Sequence, residues 1–220
     1  IDARDDEVIV NFSLLYAYAP LLKEEEKKYE NFSKSIRRRA ATIGGHNMDD
    51  YPLKMHVFNR ARLIKNSKNR IPYGVDLIQK YKRESWIVFT ENKKQAKQFN
   101  KIINTKGFKS ALYNTDLDSS ERLENLTKFK NGDLNVLVTC TALDEGFDMP
   151  EADGALILSA SSSKRQRVQR MGRVLRITEN KPNALIVTVY SSKTEFDKLM
   201  DEAKRYHKEG VPVSWKRQDR

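Results

Sequence analysis

From Ser85 onward, short apolar runs rich in Val, Ile and Leu alternate with amphipathic stretches. The runs are Trp86 to Thr90, Ala111 to Tyr113, Val136 to Cys140, Ala155 to Ser159 and Ala184 to Tyr190. Runs this short match strands, and unbroken apolarity means burial on both faces, which is the condition of a parallel sheet covered by helices. The intervening stretches carry the helical period. Lys93 to Thr105 places Ala96, Phe99, Ile102 and Ile103 on one side, and Leu123, Leu126 and Phe129 repeat the pattern behind Asp118 and Glu121, spaced as a capping box. The expected fold class is α/β. In such a fold the crossovers are right-handed and the functional loops lie beyond the carboxyl ends of the strands.

The first 84 residues read differently. Val8, Val10 and Phe12 alternate as a strand, and Tyr16 to Pro20 extends it or forms another. A charged helical stretch follows over Lys23 to Ala41, then a helical pattern over Met55 to Ile64, with Val57, Ala61 and Ile64 on one face, and a third over Tyr73 to Tyr81. Gly44 to Pro52, GGHNMDDYP, combines glycines, paired aspartates and a proline, and reads as a loop.

Composition narrows the classes of function. No apolar run approaches the ~18 residues that cross a bilayer, and the start IDARDDE lacks the pattern of a signal peptide. The expectation is a protein with no membrane contact, cytoplasmic or, in a eukaryote, nuclear. A single cysteine, Cys140, excludes an intramolecular disulfide, and His46, His56 and His207 lack metal-site spacing, so no metal site is expected. A net charge of +11 favours a polyanionic partner.

Two stretches carry the chemistry. Ser163 to Arg176, SKRQRVQRMGRVLR, sets six cations without an intervening acid. Within it Gln169, Arg170, Gly172, Arg173 and Arg176 form Q-R-x-G-R-x-x-R, with arginines three apart on one helical side and a glycine that permits close backbone approach. Planar, permanently charged guanidinium forks placed so can hold the oxygens of a transferring phosphoryl group. Val136 to Pro150, VLVTCTALDEGFDMP, is an apolar strand that runs into hydroxyls, acids and a glycine. Thr139, Cys140 and Thr141 then stand at the strand end, where small side chains and free N–H groups can meet a sugar-phosphate backbone.

At these residues the chain resembles the superfamily-two helicases and translocases, specifically their second RecA-like domain. WIVFTEN at Trp86 to Asn92 is similar to the family's fourth motif, Val136 to Pro150 to its fifth and Gln169 to Arg176 to its sixth. The D-E-G-F-D-M-P form of the fifth motif with R-V-L-R closing the sixth most resembles the XPB-type DNA repair helicases and their restriction-enzyme relatives. The resemblance implies a RecA-like parallel sheet with helices on both faces, preceded by a helical N-terminal extension. Residues 1–84 are then an N-terminal strand and helical preface packed on the domain, 85–208 the RecA-like domain and 209–220 a tail.

The resemblance also implies roles. Arg173 and Arg176 match arginines that reach the γ-phosphate of ATP across the domain cleft. Gln169 and Arg170 match positions that contact the facing domain and its nucleotide, and Gly146 and Asp148 match fifth-motif positions near the nucleotide sugar and the hinge. Thr139, Cys140 and Thr141, with Thr90 and Glu91, occupy the nucleic-acid grip. Cys140 stands where many members carry Ser or Thr, which leaves Thr139, Thr141 or a backbone N–H to supply the phosphate contact.

ATP hydrolysis needs a glycine-rich loop with Lys and Ser/Thr, plus acids that hold Mg²⁺. No G-x-x-x-x-G-K-[ST] occurs in these 220 residues. The expectation is therefore half of an ATPase, the carboxy-terminal motor domain of a longer DNA helicase or translocase. ATP and Mg²⁺ would be bound mainly by an N-terminal RecA-like domain, and RNA is not excluded as the substrate. A non-catalytic nucleic-acid-binding module of the same fold is the alternative, and an interaction scaffold built on the preface and the Glu195 to Tyr206 helix is a third.

Overall fold

The computed structural model describes residues 12–140, 152–159 and 183–218. Among them the chain runs β1 (Phe12–Tyr18), α1 (Lys23–Thr42), α2 (Tyr51–Lys65), α3 (Arg70–Lys80), β2 (Trp86–Thr90), α4 (Lys93–Thr105) and β3 (Ser110–Tyr113). It continues with α5 (Ser119–Lys130), β4 (Val136–Cys140), β5 (Gly154–Ile157), β6 (Ala184–Tyr190), α6 (Lys193–Lys208) and β7 (Val213–Arg217).

The seven strands form one parallel sheet in the order β3-β4-β2-β5-β6-β1-β7. Side chains of the inner strands divide between its faces with the period of two that a pleated strand imposes. Ile87 and Phe89 of β2 pack with Ile186 of β6 against Leu126 and Phe129 of α5 and Leu199 of α6. Trp86 and Val88 pack with Val187 and Val189 against Leu77 of α3 and Phe99 of α4. Helices thus cover both faces of a RecA-like sheet, as the apolar runs and the resemblance lead one to expect.

The amino-terminal strand is Phe12–Tyr18, and Val8 and Val10 lie outside the described residues. β1 lies inside the sheet, paired in register with β6 from Phe12↔Ala184 to Tyr18↔Tyr190 and with β7 on its other side. Its interior position explains the near-continuous burial of Leu14 to Ala17, where a one-sided strand would alternate. Residues 213–217, in the stretch expected as a tail, form the edge strand β7. Trp215 there rests on Tyr16, ring centroids 4.7 Å apart.

α1 and α2 form a helical hairpin with a small core of its own, Ile36, Ala40 and Leu53 with Ile43 and Val57 beside them. The GGHNMDDYP loop is shorter than its composition implies. Asp50 caps α2 by accepting from the Leu53 N–H at 2.9 Å, so Tyr51 and Pro52 already belong to the helix. The same carboxylate accepts from Arg39 Nε and Nη2 at 2.9 and 2.6 Å, which fastens the two helices at the turn.

Candidate functional site

The turn that leaves β2 at the carboxyl edge of the sheet is held from three directions. Asn92 caps α4 by accepting from the Gln95 N–H at 3.0 Å, and the Gln95 side chain accepts from the Glu91 N–H at 3.0 Å in return. This reciprocal closure satisfies the Gln95 N–H that the helix start leaves open and the Glu91 N–H just before the cap. Gln95 Nε2 donates to the Lys65 carbonyl at 2.9 Å and Asn92 Nδ2 to Asn66 Oδ1 at 2.7 Å, so the turn is fixed to the end of α2.

Glu91 completes the junction. One carboxylate oxygen pairs with Lys65 Nζ at 2.7 Å and the other accepts from Ser159 Oγ, just beyond β5, at 2.9 Å. Its side chain therefore joins the hairpin, the β2 turn and the end of β5.

Beneath this edge lies Arg70, fully buried at the start of α3. Its Nη1 donates to the carbonyls of Leu158 at 2.8 Å and Val189 at 2.6 Å. Its Nε donates to the Ile64 carbonyl at 2.9 Å, and its Nη2 to both oxygens of Glu195 at 2.7 and 2.6 Å. A buried cation is tolerated when every donor is engaged, and here the engagement ties the ends of β5 and β6 to the root of the hairpin. Nothing in the local sequence RIPYGV signals this role.

Above the edge, an open cleft of about 820 Å³ separates the hairpin from the β2 turn. Lys28 of α1, Arg62 of α2 and Lys94 of α4 bring cations to it, and Asn59, Asn66 and Asn92 bring amides. Glu91 is the acid that lines it, and its charge is already matched by Lys65. Cations around amide donors suit phosphate and sugar oxygens. The motif reading missed Lys28, Arg62 and Lys94; for Arg62 the available signal was that α2, YPLKMHVFNRARLIK, contains no acidic residue.

The residues singled out from sequence divide sharply. Thr90 and Thr139 are buried at the ends of β2 and β4, where the Thr90 hydroxyl donates to the Thr139 carbonyl at 3.0 Å. Cys140 is buried beside them at the end of β4. Glu91 lies at the cleft. Thr141, Gly146, Asp148, Gln169, Arg170, Arg173 and Arg176 lie outside the described residues. Among the described residues no cluster of three or more His, Cys, Asp or Glu side chains could hold a metal ion. No described helix is long and apolar enough to cross a membrane.

Residues 69–178 match the model of the helicase conserved C-terminal domain. The DNA 3'-5' translocase XPB2 of Sulfurisphaera tokodaii is 29% identical over 202 residues, covering 84% of this chain and 44% of that protein. The UvrABC system protein B of Fusobacterium nucleatum is 30% identical over 125 residues, 54% of this chain and 19% of that protein. The chain spans less than half the length of these curated relatives. Among solved structures, the C-terminal domain of the DEAD-box protein Dbp5 superposes with a TM-score of 0.59 at 20% identity, over 69% of this chain and 85% of that one. The E. coli DEAD-box protein SrmB, bound to regulator of ribonuclease activity A (RraA), gives 0.58 at 13% identity, over 96% and 92%. With the parallel sheet, its helices on both faces and the motif order, the chain belongs to the helicase conserved C-terminal domain family, as the second RecA-like domain of a superfamily-two helicase or translocase.

Proposed function

We propose that this domain works in an ATP-driven DNA motor, gripping one strand at the cleft and supplying arginines to a nucleotide held by a facing RecA-like domain. The observation that carries the grip is the convergence of Lys28, Arg62 and Lys94 on a cleft at the carboxyl edge of the sheet. DNA is favoured by the S. tokodaii relative, whose name is that of a DNA translocase.

In this reading the cleft cations neutralise backbone phosphates, and the Asn59 amide donates to phosphate or sugar oxygens. The Lys65–Glu91–Ser159 junction keeps the hairpin wall at a fixed distance from the sheet edge. Buried Thr90, Thr139 and Cys140 secure the strand ends, from which Thr141 continues the grip. Arg173 and Arg176 stabilise charge on the transferring phosphoryl group. Gln169 and Arg170 contact the facing domain and its nucleotide, and Gly146 and Asp148 stand near the sugar and the hinge. Because these residues include no phosphate loop, the chain alone turns over no ATP.

The test is binding of a labelled DNA oligonucleotide across a salt series. Arg62→Ala and Lys94→Ala are each expected to weaken binding and to reduce the slope of log affinity against log salt by about 0.7 to 0.9, the value of one phosphate contact. Unchanged affinity and slope in both variants would overturn the assignment of the cleft.

A further inference from the structure

The α1–α2 hairpin buries one side of α2 and leaves a second apolar side in water. Leu53 and Ile64 are buried, with Val57 packed toward α1, and together they supply the apolar face that a surface helix needs. Tyr51, Met55 and Phe58 stand on the opposite side at i, i+4 and i+7, and are 71%, 38% and 52% exposed. Met48, in the preceding turn, is 43% exposed. A continuous exposed apolar stripe of this kind marks a contact surface.

Its surroundings narrow what the contact is. α2 carries Lys54, Arg60, Arg62 and Lys65 and no acid, and Lys54 Nζ lies 5.9 Å from the centre of the Phe58 ring. One further helical turn along the same side, four residues after Phe58, is Arg62, which lines the cleft. Phe32 of α1 lines that cleft as well. The stripe is thus continuous with the cleft at the sheet edge, and aromatic rings alternate with cations along it. Rings accept the faces of bases irrespective of sequence, and cations follow the backbone that joins those bases. Bases within a duplex are stacked on one another and offer no free face to a ring.

We propose that the Tyr51–Met55–Phe58 side of α2 is a stacking surface for the unpaired bases of single-stranded DNA as the strand enters or leaves the cleft. This rests on the reading of the cleft as a nucleic-acid interface and adds to it a preference for unpaired over paired strands. The rings act at the bases and leave phosphate neutralisation to the cations, so the two contributions separate in their response to salt.

The experiment measures binding of the full chain to labelled oligothymidylate of about 16 nucleotides, near the upper site size of single-strand modules. A duplex of the same length provides the comparison. Tyr51→Leu and Phe58→Leu keep apolar bulk on exposed helical positions and remove the ring. Each is expected to weaken single-strand binding about five- to tenfold, to leave the salt slope unchanged, and to alter duplex binding by less than about twofold. Tyr51→Phe should bind as the parent does. An oligonucleotide carrying 2-aminopurine should show quenching with the parent that both leucine variants lose, while unaltered thermal unfolding shows that the fold is kept. Equal losses on single strand and duplex, or none on either, would overturn the stacking surface. Arg62→Ala separates the two readings. If it weakens binding while the leucine variants do not, the stacking surface fails and the cleft assignment stands; if no variant weakens binding, both fail.

Discussion

Arg70 and Glu195 lie 125 residues apart in the chain and meet where α3, the ends of β5 and β6, and α6 converge, one guanidinium nitrogen donating to both carboxylate oxygens at 2.7 and 2.6 Å. Glu195 is fixed from its own side as well. Its amide donates to Ser192 Oγ, which caps α6, and its Oε2 accepts from the Ser191 N–H at 2.8 Å. The pair therefore stands between the hairpin root and the helix that follows β6.

Arg70→Ala should cost about 3 to 5 kcal/mol, because it strands a carboxylate and three main-chain carbonyls in a buried place. Arg70→Lys should recover little, since one ammonium cannot reach Ile64, Leu158, Val189 and Glu195 together. Urea unfolding of the three proteins measures this, and a loss under about 1 kcal/mol for Arg70→Ala would show that the hub contributes little.

Gly154 opens β5 directly against the indole of Trp86. A Cβ built there would stand 2.5 Å from Trp86 Cε3, and the fully buried ring belongs to a packed layer that cannot yield. Gly154→Ala is expected to destabilise by about 1 to 3 kcal/mol through overpacking, read from a lowered urea midpoint at unchanged m-value. Adding Trp86→Phe, which removes part of the ring, should reduce the penalty attributable to the extra methyl group.

Asp50 sets the acid limit of the hairpin. The Arg39 guanidinium, aided by the Leu53 N–H, lowers its pKa from 3.8 to about 2. A carboxyl depressed in the folded state stabilises fully above its ordinary value and loses that contribution as pH falls through the folded one. Protection of the Leu53 amide from exchange should therefore persist at pH 4 and decline toward pH 2. Asp50→Ala should lose protection throughout, and Asp50→Asn, which keeps a cap acceptor, should retain part of it.

Arg173 and Arg176 are tested in a protein that also carries the phosphate-loop domain. Alanine at either position should lower ATP turnover by about 10³ to 10⁵ while changing DNA affinity far less, because a finger stabilises charge that develops only during transfer. Arg173→Lys should not restore the rate, since an ammonium lacks the planar fork. Arg165→Ala, outside the Q-R-x-G-R-x-x-R core, should be mild. Turnover unaffected by Arg173→Ala, with DNA binding weakened as much as in Arg165→Ala, would favour a non-catalytic binding module.

Much of the fold is written locally. β2, β4 and β6 coincide with their apolar runs, and α4 with the Lys93 to Thr105 period, because these elements are selected by side-chain periodicity within a few residues of chain. Asp118 caps α5 by accepting from the Glu121 N–H at 2.8 Å, a contact three residues long that spacing alone discloses. The family was legible for a related reason, since its motifs are contiguous strings in fixed order.

Tertiary structure decided where β1 sits and what the cleft contains. The strand order that places β1 between β6 and β7 depends on pairing across more than 170 residues, to which no local period is sensitive. Arg70 reads as an ordinary helix-start cation until Leu158, Val189 and Glu195 arrive around it, and Lys28, Arg62 and Lys94 read as solvated charges until three helices bring them to one cleft. The motif singles out Glu91, but its pairing with Lys65 and Ser159 is visible only in the packed chain. Periodicity and capping act over one or two turns and are fixed by neighbouring residues, whereas charge convergence and burial of polar groups are properties of the packed chain.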